Sequence, residues 1–259
     1  MGMGSLVGAG AIRVKDEDVR VLELQLSKLC SDFGFPDGEE FKWSPGRELW
    51  MRDNLRASAR EAFFIKALEI ARARGIVATV VIADTNEVDP RTGTHVSEAD
   101  VTRLLLEAIH LQIPIDANGL VVADRPGGGR PEEDSFLSGC MDTLKVGTRH
   151  VRNLELISLM LTANSKMVRL LQLADLVTSC TTAFVAGNGA FAPAIFDQIR
   201  PLLRMHQGRV GGVGLKLLPA ERYANLYHWI GGDTDYVHDN TTYRMPLPRY
   251  PYHADGVNP

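Results

Sequence analysis

Three Ala-Asp dipeptides carry the clearest chemical signal in this sequence. Two of them end apolar, β-branched runs, VVIAD at Asp84 and LVVAD at Asp124, and the third ends the string LQLAD at Asp175. If the two runs are parallel strands of one sheet, both carboxylates emerge at its carboxyl edge, where α/β proteins bind their ligands. Carboxylate oxygens are hard ligands that suit Mg²⁺ or Mn²⁺, and two such ions can activate water and stabilise the leaving oxygen in phosphodiester cleavage. The pattern therefore predicts a divalent-cation site built on these acids.

Each acid also has a plainer structural explanation. An Asp that follows a buried strand is often a turn or cap residue. This applies more strongly to Asp84 than to Asp124, because the Gly-rich loop after Asp124 would leave a site open. Asp175 lies in an apolar, helix-like segment, where a carboxylate must be paired, hydrogen-bonded or bound to a metal ion. Gln172 and Ser179 fall on its helix face at i−3 and i+4, so a polar slot without a cation is the alternative.

The segment that must position Asp175 spans residues 164–187 and is predicted to be one helix. Asn164 or Ser165 can cap its first turn, no proline interrupts it, and Gly187 fits a left-handed residue at its C-terminus. Leucine and valine side chains spread around most of its circumference, which predicts a buried helix.

The remaining pattern predicts a mixed α/β fold. Residues 76–84 and 119–124 are continuously apolar and β-branched, which is typical of strands covered on both faces. The connection between them contains a helix that Ser97 and Asp100 are predicted to cap, and a right-handed crossover would make the two strands parallel in one sheet. We expect three layers, a mixed sheet with helices on both faces. The other expected elements are strands over 6–14, 39–44 and 154–161, helices over 16–32, 55–74, 136–144 and 194–205, and a flexible loop over 125–134.

Length and composition indicate one domain with an appendage. The chain has 259 residues, 45% of them hydrophobic and 23% charged, so it can bury a sizeable core. We expect one domain over residues 1–218 and a C-terminal aromatic arm over residues 219–259, rich in Tyr, His and Pro, that packs on it. The arm could cover the core, stack on bases or seal a homo-oligomer.

Charge and motif content exclude several function classes. The formal net charge of −4 argues against a generally basic surface, while leaving room for a local basic groove. Three well-separated cysteines predict neither a disulfide framework nor a zinc site, and no membrane span or signal peptide is evident, so we expect a cytoplasmic protein without membrane association. The histidines lack zinc-site spacing, the glycine-rich run 211–214 lacks the Lys-Ser/Thr of a phosphate loop, and G-x-S-x-G does not occur.

Four pieces of the sequence, in this order, resemble the family called domain of unknown function 3800. They are EFKWS, LVVAD, LLQLADLV and GLKLLP…LYHWI, spread over roughly residues 6–230, and LLQLADLV is the most specific of them. The resemblance implies a ribonuclease H-like fold and a nuclease active site that uses Mg²⁺ or Mn²⁺. It implies Glu40, Asp124 and Asp175 as acidic metal ligands and Lys42 as a phosphate contact. The strand-end pattern, not the resemblance, adds Asp84 as a weaker fourth ligand. A solvated Lys42 on a short strand is the alternative for that residue.

The chain departs from the family at its first strand. Family members usually open with a strand that carries Asp-Glu-Ser-Gly, whose Asp is the central metal ligand, whereas this sequence opens with what looks like the next strand. Either the start lies further upstream, or the chain is a shortened, inactive relative. We therefore expect weak cation binding and little or no nuclease activity from the chain as printed, with cleavage rising if an Asp-bearing strand is restored. The alternative function is a non-catalytic nucleic-acid- or protein-binding module on the same fold, and a third is a structural oligomer subunit.

Overall fold

The computed structural model describes residues 5–89, 92–219, 222–238 and 241–249. None of the helices within these ranges is long and apolar enough to cross a membrane. The main elements follow in chain order: β1 (Leu6–Arg13), α1 (Asp16–Asp32), α2 (Trp50–Asn54), α3 (Ala57–Ala73), β2 (Val77–Asp84), β3 (Val88–Asp89), β4 (Thr94–His95), α4 (Glu98–His110), β5 (Gly119–Asp124), α5 (Arg130–Val146), β6 (Ile157–Ala163), α6 (Arg169–Val185), α7 (Ala192–Ile199), β7 (Leu215–Leu218), α8 (Ala224–Leu226), β8 (Asp235–His238) and β9 (Thr241–Arg244).

A three-stranded mixed sheet lies at the centre of the fold. β2 pairs antiparallel with β1 along its whole length and in parallel with β7, which gives the order β1-β2-β7. Side chains alternate between the two faces of β2. Val80 and Ile82 join the main hydrophobic core with α1, α3, α6 and α7, whereas Val81 and Ala83 join a smaller core with α4. The predicted mixed α/β fold is confirmed, and helices cover both faces of this sheet.

Two glycines of β1 bring α6 close to the sheet. Gly8 and Gly10 face α6, and a Cβ at either position would collide with the side chain of Thr182 or Thr178. Only glycine leaves room for this approach without moving the helix. β1 therefore sets the distance between the sheet and α6, the helix that carries Asp175.

The strands that end at Asp84 and Asp124 lie in different sheets, so the prediction that they share one sheet is wrong. β1 and β7 flank β2 on its two sides, so β5 does not pair with β2. β5 instead pairs in parallel with β6 in a separate two-stranded sheet. Asp84 and Asp124 therefore do not emerge at a common sheet edge.

The predicted burial of β5 on both faces is also wrong. One face of the β5–β6 sheet packs on α4 and α5 through a core that includes Leu106 and Cys140. The other face exposes aliphatic side chains of both strands, so burial alternates along β5. These exposed side chains are Leu120, Val122, Leu159 and Leu161.

Local sequence signals succeeded where they were strong. The bounds predicted for α1 and β5 are confirmed, and Ser97 and Asp100 form the predicted capping box of α4. Residues 39–44 form an irregular loop rather than the predicted strand. The predicted loop over 125–134 is interrupted, because α5 already begins at Arg130 with Pro131 in its first turn.

The predicted helix over 164–187 is divided. Residues Ser165–Met167 form one 3₁₀ turn, Val168 is extended, and α6 begins at Arg169. Asn164 caps the 3₁₀ turn by accepting a hydrogen bond from the N–H of Lys166. Gly187 has the predicted left-handed conformation, with φ of 78°.

The residues after β7 contribute to the main core. Tyr223, Tyr227, Ile230, Met245 and Leu247 are buried there beside residues of the central sheet. Tyr227 ties the segment to the sheet, because its hydroxyl accepts a hydrogen bond from the N–H of Leu217 at 2.8 Å. The end of the predicted arm, residues 250–259, lies outside the described residues.

Candidate active site

Asp175 lies in the second turn of α6, half-buried, with its carboxylate turned toward the loop of residues 39–44. The hydroxyl of Ser179 donates to its Oδ1 at 3.1 Å, and the backbone N–H of Trp43 donates to it as well. Burial is the main cause that raises the pKa of Asp175; the two donors and the Lys42 ammonium oppose the rise, and the negative charge of Asp124 adds to it. Asp175 thus has hydrogen-bond partners and also repels a second carboxylate.

Asp124 is the last residue of β5 and is exposed. Its Oδ1 accepts a hydrogen bond from the backbone N–H of Ser165 at 3.3 Å. The Ser165 hydroxyl donates to Oε2 of Glu40 at 3.4 Å. Ser165 therefore lies between two of the predicted acids, just before α6, which carries the third.

Glu40 is buried and is the most enclosed of the three acids, with 5% of its surface exposed. Its Oε1 lies 3.6 Å from Nζ of Lys42, and the Lys42 side chain remains 38% exposed. Because one end of this ion pair is buried and the other reaches solvent, Lys42 presents its ammonium at the mouth of the site.

Arg169 and Gln172, in the first turn of α6, hold the loop of residues 39–44 in place. The Arg169 guanidinium donates to the carbonyl of Glu39 at 2.7 Å and to Oε1 of Gln172 at 2.8 Å. Gln172 is buried; its Oε1 also accepts from the N–H of Phe41, and its Nε2 donates to the carbonyl of Ser165 at 2.7 Å. The same two side chains thus position the Glu40 loop and Ser165.

A residue from α1 fixes the start of α6. The carboxylate of Glu23 accepts hydrogen bonds from the N–H groups of Arg169 at 3.0 Å and Leu170 at 2.9 Å. No residue adjacent in sequence caps this helix, because the preceding Val168 has no side-chain acceptor. A carboxylate at this end also complements the helix dipole.

We call Glu40, Lys42, Asp124, Ser165 and Asp175 the acidic site. The loop, the end of β5 and α6 bring these residues together, although the sheet-edge argument that first connected the acids was wrong. Within the described ranges, no group of three or more His, Cys, Asp or Glu side chains is arranged so that it could hold a metal ion. The carboxylates are therefore neighbours rather than a formed three-ligand cage.

Asp84 lies outside the acidic site. Its Oδ1 accepts from the Ser5 hydroxyl and from the N–H of Asn86 at 3.0 Å, and its Oδ2 accepts from the hydroxyl of Tyr223 at 2.9 Å. The contact with Asn86, two residues on, is the Asx turn expected of an Asp after a strand. These contacts give Asp84 the turn role named as its structural alternative.

Sequence reasoning missed the residues that position the acids. The sequence pattern predicts only a helix cap for Ser165 and assigns no role to Arg169. The spacing of Arg169, Gln172 and Asp175 at i, i+3 and i+6 was the available signal, since it places polar groups along one side of an otherwise apolar helix. Glu23 had no local signal, because its contact with α6 depends on how two helices pack.

Comparison of the chain with protein-family models, with curated proteins and with solved structures found no match.

Proposed function

We propose that this protein is a divalent-metal-dependent nuclease of ribonuclease H-like fold, with Glu40, Asp124 and Asp175 as the ligands of Mg²⁺ or Mn²⁺. The observation that carries the proposal is the pair formed by Asp175 and Asp124. The two carboxylates come from different elements and repel each other, and neither forms an ion pair with Lys or Arg within 4.0 Å in the described structure. Carboxylate oxygens are the donors that these cations prefer, so the donor set fits the ion.

The neighbouring groups fit roles in phosphodiester hydrolysis. A cation bound by these carboxylates would supply a Lewis acid that activates water and stabilises the leaving oxygen. Lys42, which is partly exposed beside Glu40, would attract a phosphate of the nucleic acid. Ser165 would hold Glu40 and Asp124 in register through its hydroxyl and its N–H. The N–H of Trp43 and the Ser179 hydroxyl would keep Asp175 oriented.

The second candidate is a non-catalytic nucleic-acid- or protein-binding module on the same fold. It is favoured by the state of Glu40, which is already engaged by Lys42 and Ser165, and by the lack of a three-ligand group in the described ranges. In this case the acids serve to join the loop, β5 and α6, and the exposed Lys42 serves binding alone.

A cleavage assay distinguishes the two candidates. Single-stranded DNA, double-stranded DNA, RNA and an RNA–DNA hybrid are incubated with Mn²⁺ and the wild type, Asp124→Ala, Asp175→Ala or the control Asp142→Ala, an exposed acid on α5. The nuclease predicts slow, Mn²⁺-dependent cleavage by the wild type and the control that both site variants abolish. Robust cleavage that survives Asp175→Ala would refute the site. Nucleic-acid binding without cleavage, unaffected by chelation of metal, would favour the binding module.

A further inference from the structure

A cleft separate from the acidic site lies on the face of the central sheet that is opposite α6. It encloses about 200 Å³ between the β3–β4 hairpin, α4 and the turn of residues 148–150 that follows α5. Its apolar lining, Val96, Leu104 and Leu218, belongs to the small core on the α4 side of the sheet. No residue of the acidic site lines it.

A buried carboxylate, that of Glu107, forms the floor of this cleft and is paired with Lys216. Glu107 of α4 is 3% exposed, and its Oε1 lies 3.1 Å from Nζ of Lys216 on β7. Its Oε2 accepts a hydrogen bond from the hydroxyl of Thr148. Burial acts to raise the pKa of Glu107, but Lys216, Thr148 and His150 together hold it below its ordinary value. The floor carboxylate is therefore charged, and both of its oxygens are occupied.

Local hydrogen bonds and a close backbone contact define the turn of residues 148–150 beside Glu107. The hydroxyl of Thr148 accepts from the N–H groups of His150 and Val151, at 3.3 and 3.2 Å, while it donates to Glu107. Gly147 has a φ of 85°, and a Cβ there would collide with the backbone of Arg152. The turn thus places the Arg149 and His150 side chains at the lining of the cleft.

Among the charged and ionisable side chains that line the cleft, those without a partner carry N–H donor groups. Its acids, Asp89, Asp100 and Glu107, all have partners, and Arg103 is paired with Asp100 at 2.7 Å. In contrast, neither the guanidinium of Arg149 nor the imidazole of His95 has a hydrogen-bond or ion-pair partner among the residues that the structure describes. A guanidinium offers a planar fork of donors that matches a carboxylate or a phosphate in a bidentate pair.

We propose that this cleft binds a small ligand through a phosphate or carboxylate group, with Arg149 as the main recognition residue and with His95 and His150 as further donors. The volume limits the ligand to a molecule smaller than the occupants of ordinary ligand pockets, which measure about 300–1,000 Å³. A phosphate monoester of a short carbon chain and a small dicarboxylate share the required chemistry. The proposal does not depend on the nuclease function, because the two sites share no residue.

Amide chemical shifts measured by NMR during titration test the proposal. The full chain is titrated with inorganic phosphate in one arm and with succinate in another, and sodium chloride at equal ionic strength is the reference. We expect saturable shifts of the amides in residues 94–104 and 147–151 with at least one of the two anions. A response to phosphate alone would identify a phosphate ligand, and a response to succinate alone would identify a carboxylate ligand.

Variants of the turn assign the binding to Arg149. Arg149→Ala should lower the affinity for the anion by about tenfold, because one charge-assisted hydrogen-bonding group is lost. The affinity of Arg149→Lys should lie between those of Arg149→Ala and the wild type. Arg152→Ala is the matched control, since Arg152 is exposed just after the turn but does not line the cleft. The proposal is overturned if neither anion gives saturable shifts beyond chloride, or if Arg149→Ala and Arg152→Ala weaken binding equally.

Discussion

At Asp175, burial and hydrogen bonding act on one carboxylate in opposite directions. Burial raises its pKa, and Ser179, Lys42 and the N–H of Trp43 act to lower it without cancelling the effect. The folded protein therefore binds a proton at Asp175 more tightly than the unfolded chain does. A residue held in this way destabilises the fold at neutral pH, which is typical of residues retained for function rather than stability.

The first prediction concerns the pH dependence of stability. Because the folded-state pKa of Asp175 is raised, its contribution favours folding at low pH and is lost as pH rises above the ordinary Asp pKa of 3.8 through the folded value. Because the side chain of Asp175→Asn cannot ionise, this variant does not lose that contribution. Its free energy of unfolding should therefore increase relative to that of the wild type as pH rises over this window. Urea unfolding between about pH 4 and about pH 8 measures the difference. Asp142→Asn should track the wild type, and a constant offset for Asp175→Asn would contradict the assigned cause.

The second prediction concerns the ion pair between Lys216 and Glu107. Lys216→Met leaves the buried Glu107 carboxylate without its cation, which should cost about 3–5 kcal/mol of unfolding free energy. The double variant Lys216→Met, Glu107→Leu should recover most of this loss, because an apolar pair of similar volume has no charge to desolvate. Denaturant unfolding measures both, with Lys145→Met on the exposed side of α5 as the control. A double variant no more stable than Lys216→Met would count against the argument.

At the scale of elements, α6 connects the parts of the acidic site. The sequence pattern predicted this helix, its burial and its terminal Gly187, because each depends on local spacing. The pattern placed the start of the helix several residues too early, because the carboxylate that stabilises the first turn belongs to Glu23 on α1. Helix ends defined by a distant residue have no signature in the local sequence.

The third prediction tests that cap. Glu23→Ala removes the acceptor for the N–H groups of Arg169 and Leu170 and should lower the free energy of unfolding by about 1–2 kcal/mol. Glu23→Gln keeps an acceptor oxygen and should lose less. Glu17→Ala, an exposed acid on the same helix, is the control and should change stability little. Equal losses for Glu17→Ala and Glu23→Ala, measured by denaturant unfolding, would show that the contact with α6 does not matter.

At the scale of the whole molecule, the arrangement of the sheets is what the sequence could not supply. Both Ala-Asp runs were identified as strands, and both are strands, but strand pairing depends on which edges the rest of the chain occupies. β1 and β7 flank β2, and β5 pairs with β6, so Asp84 and Asp124 end in separate sheets. Asp124 and Asp175 nevertheless become neighbours, because Ser165 and the start of α6 follow β6, the partner strand of β5. Two of the predicted acids were thus brought together by a connection that the prediction did not use.

The fourth prediction concerns the contact that joins the segment after β7 to the central sheet. The Tyr223 hydroxyl donates to the buried Asp84 carboxylate at 2.9 Å, and Tyr223 is itself buried. Tyr223→Phe leaves this oxygen of Asp84 without a donor and should cost about 1–3 kcal/mol of unfolding free energy. The control is Tyr243→Phe, since Tyr243 is 44% exposed. Unchanged thermal and urea unfolding of Tyr223→Phe would show that Asp84 does not depend on this contact.

The most direct test of the central claim is calorimetric titration of the full chain with Mn²⁺, because cation binding by Asp124 and Asp175 underlies the proposed nuclease. The account predicts weak, saturable binding by the wild type and by the control Asp142→Asn, and its loss in Asp124→Asn and in Asp175→Asn. Each Asn variant keeps the size of the side chain and removes one of the two charges that repel each other. Saturable Mn²⁺ binding that persists unchanged in both variants, or a wild type that binds no Mn²⁺, would contradict the account.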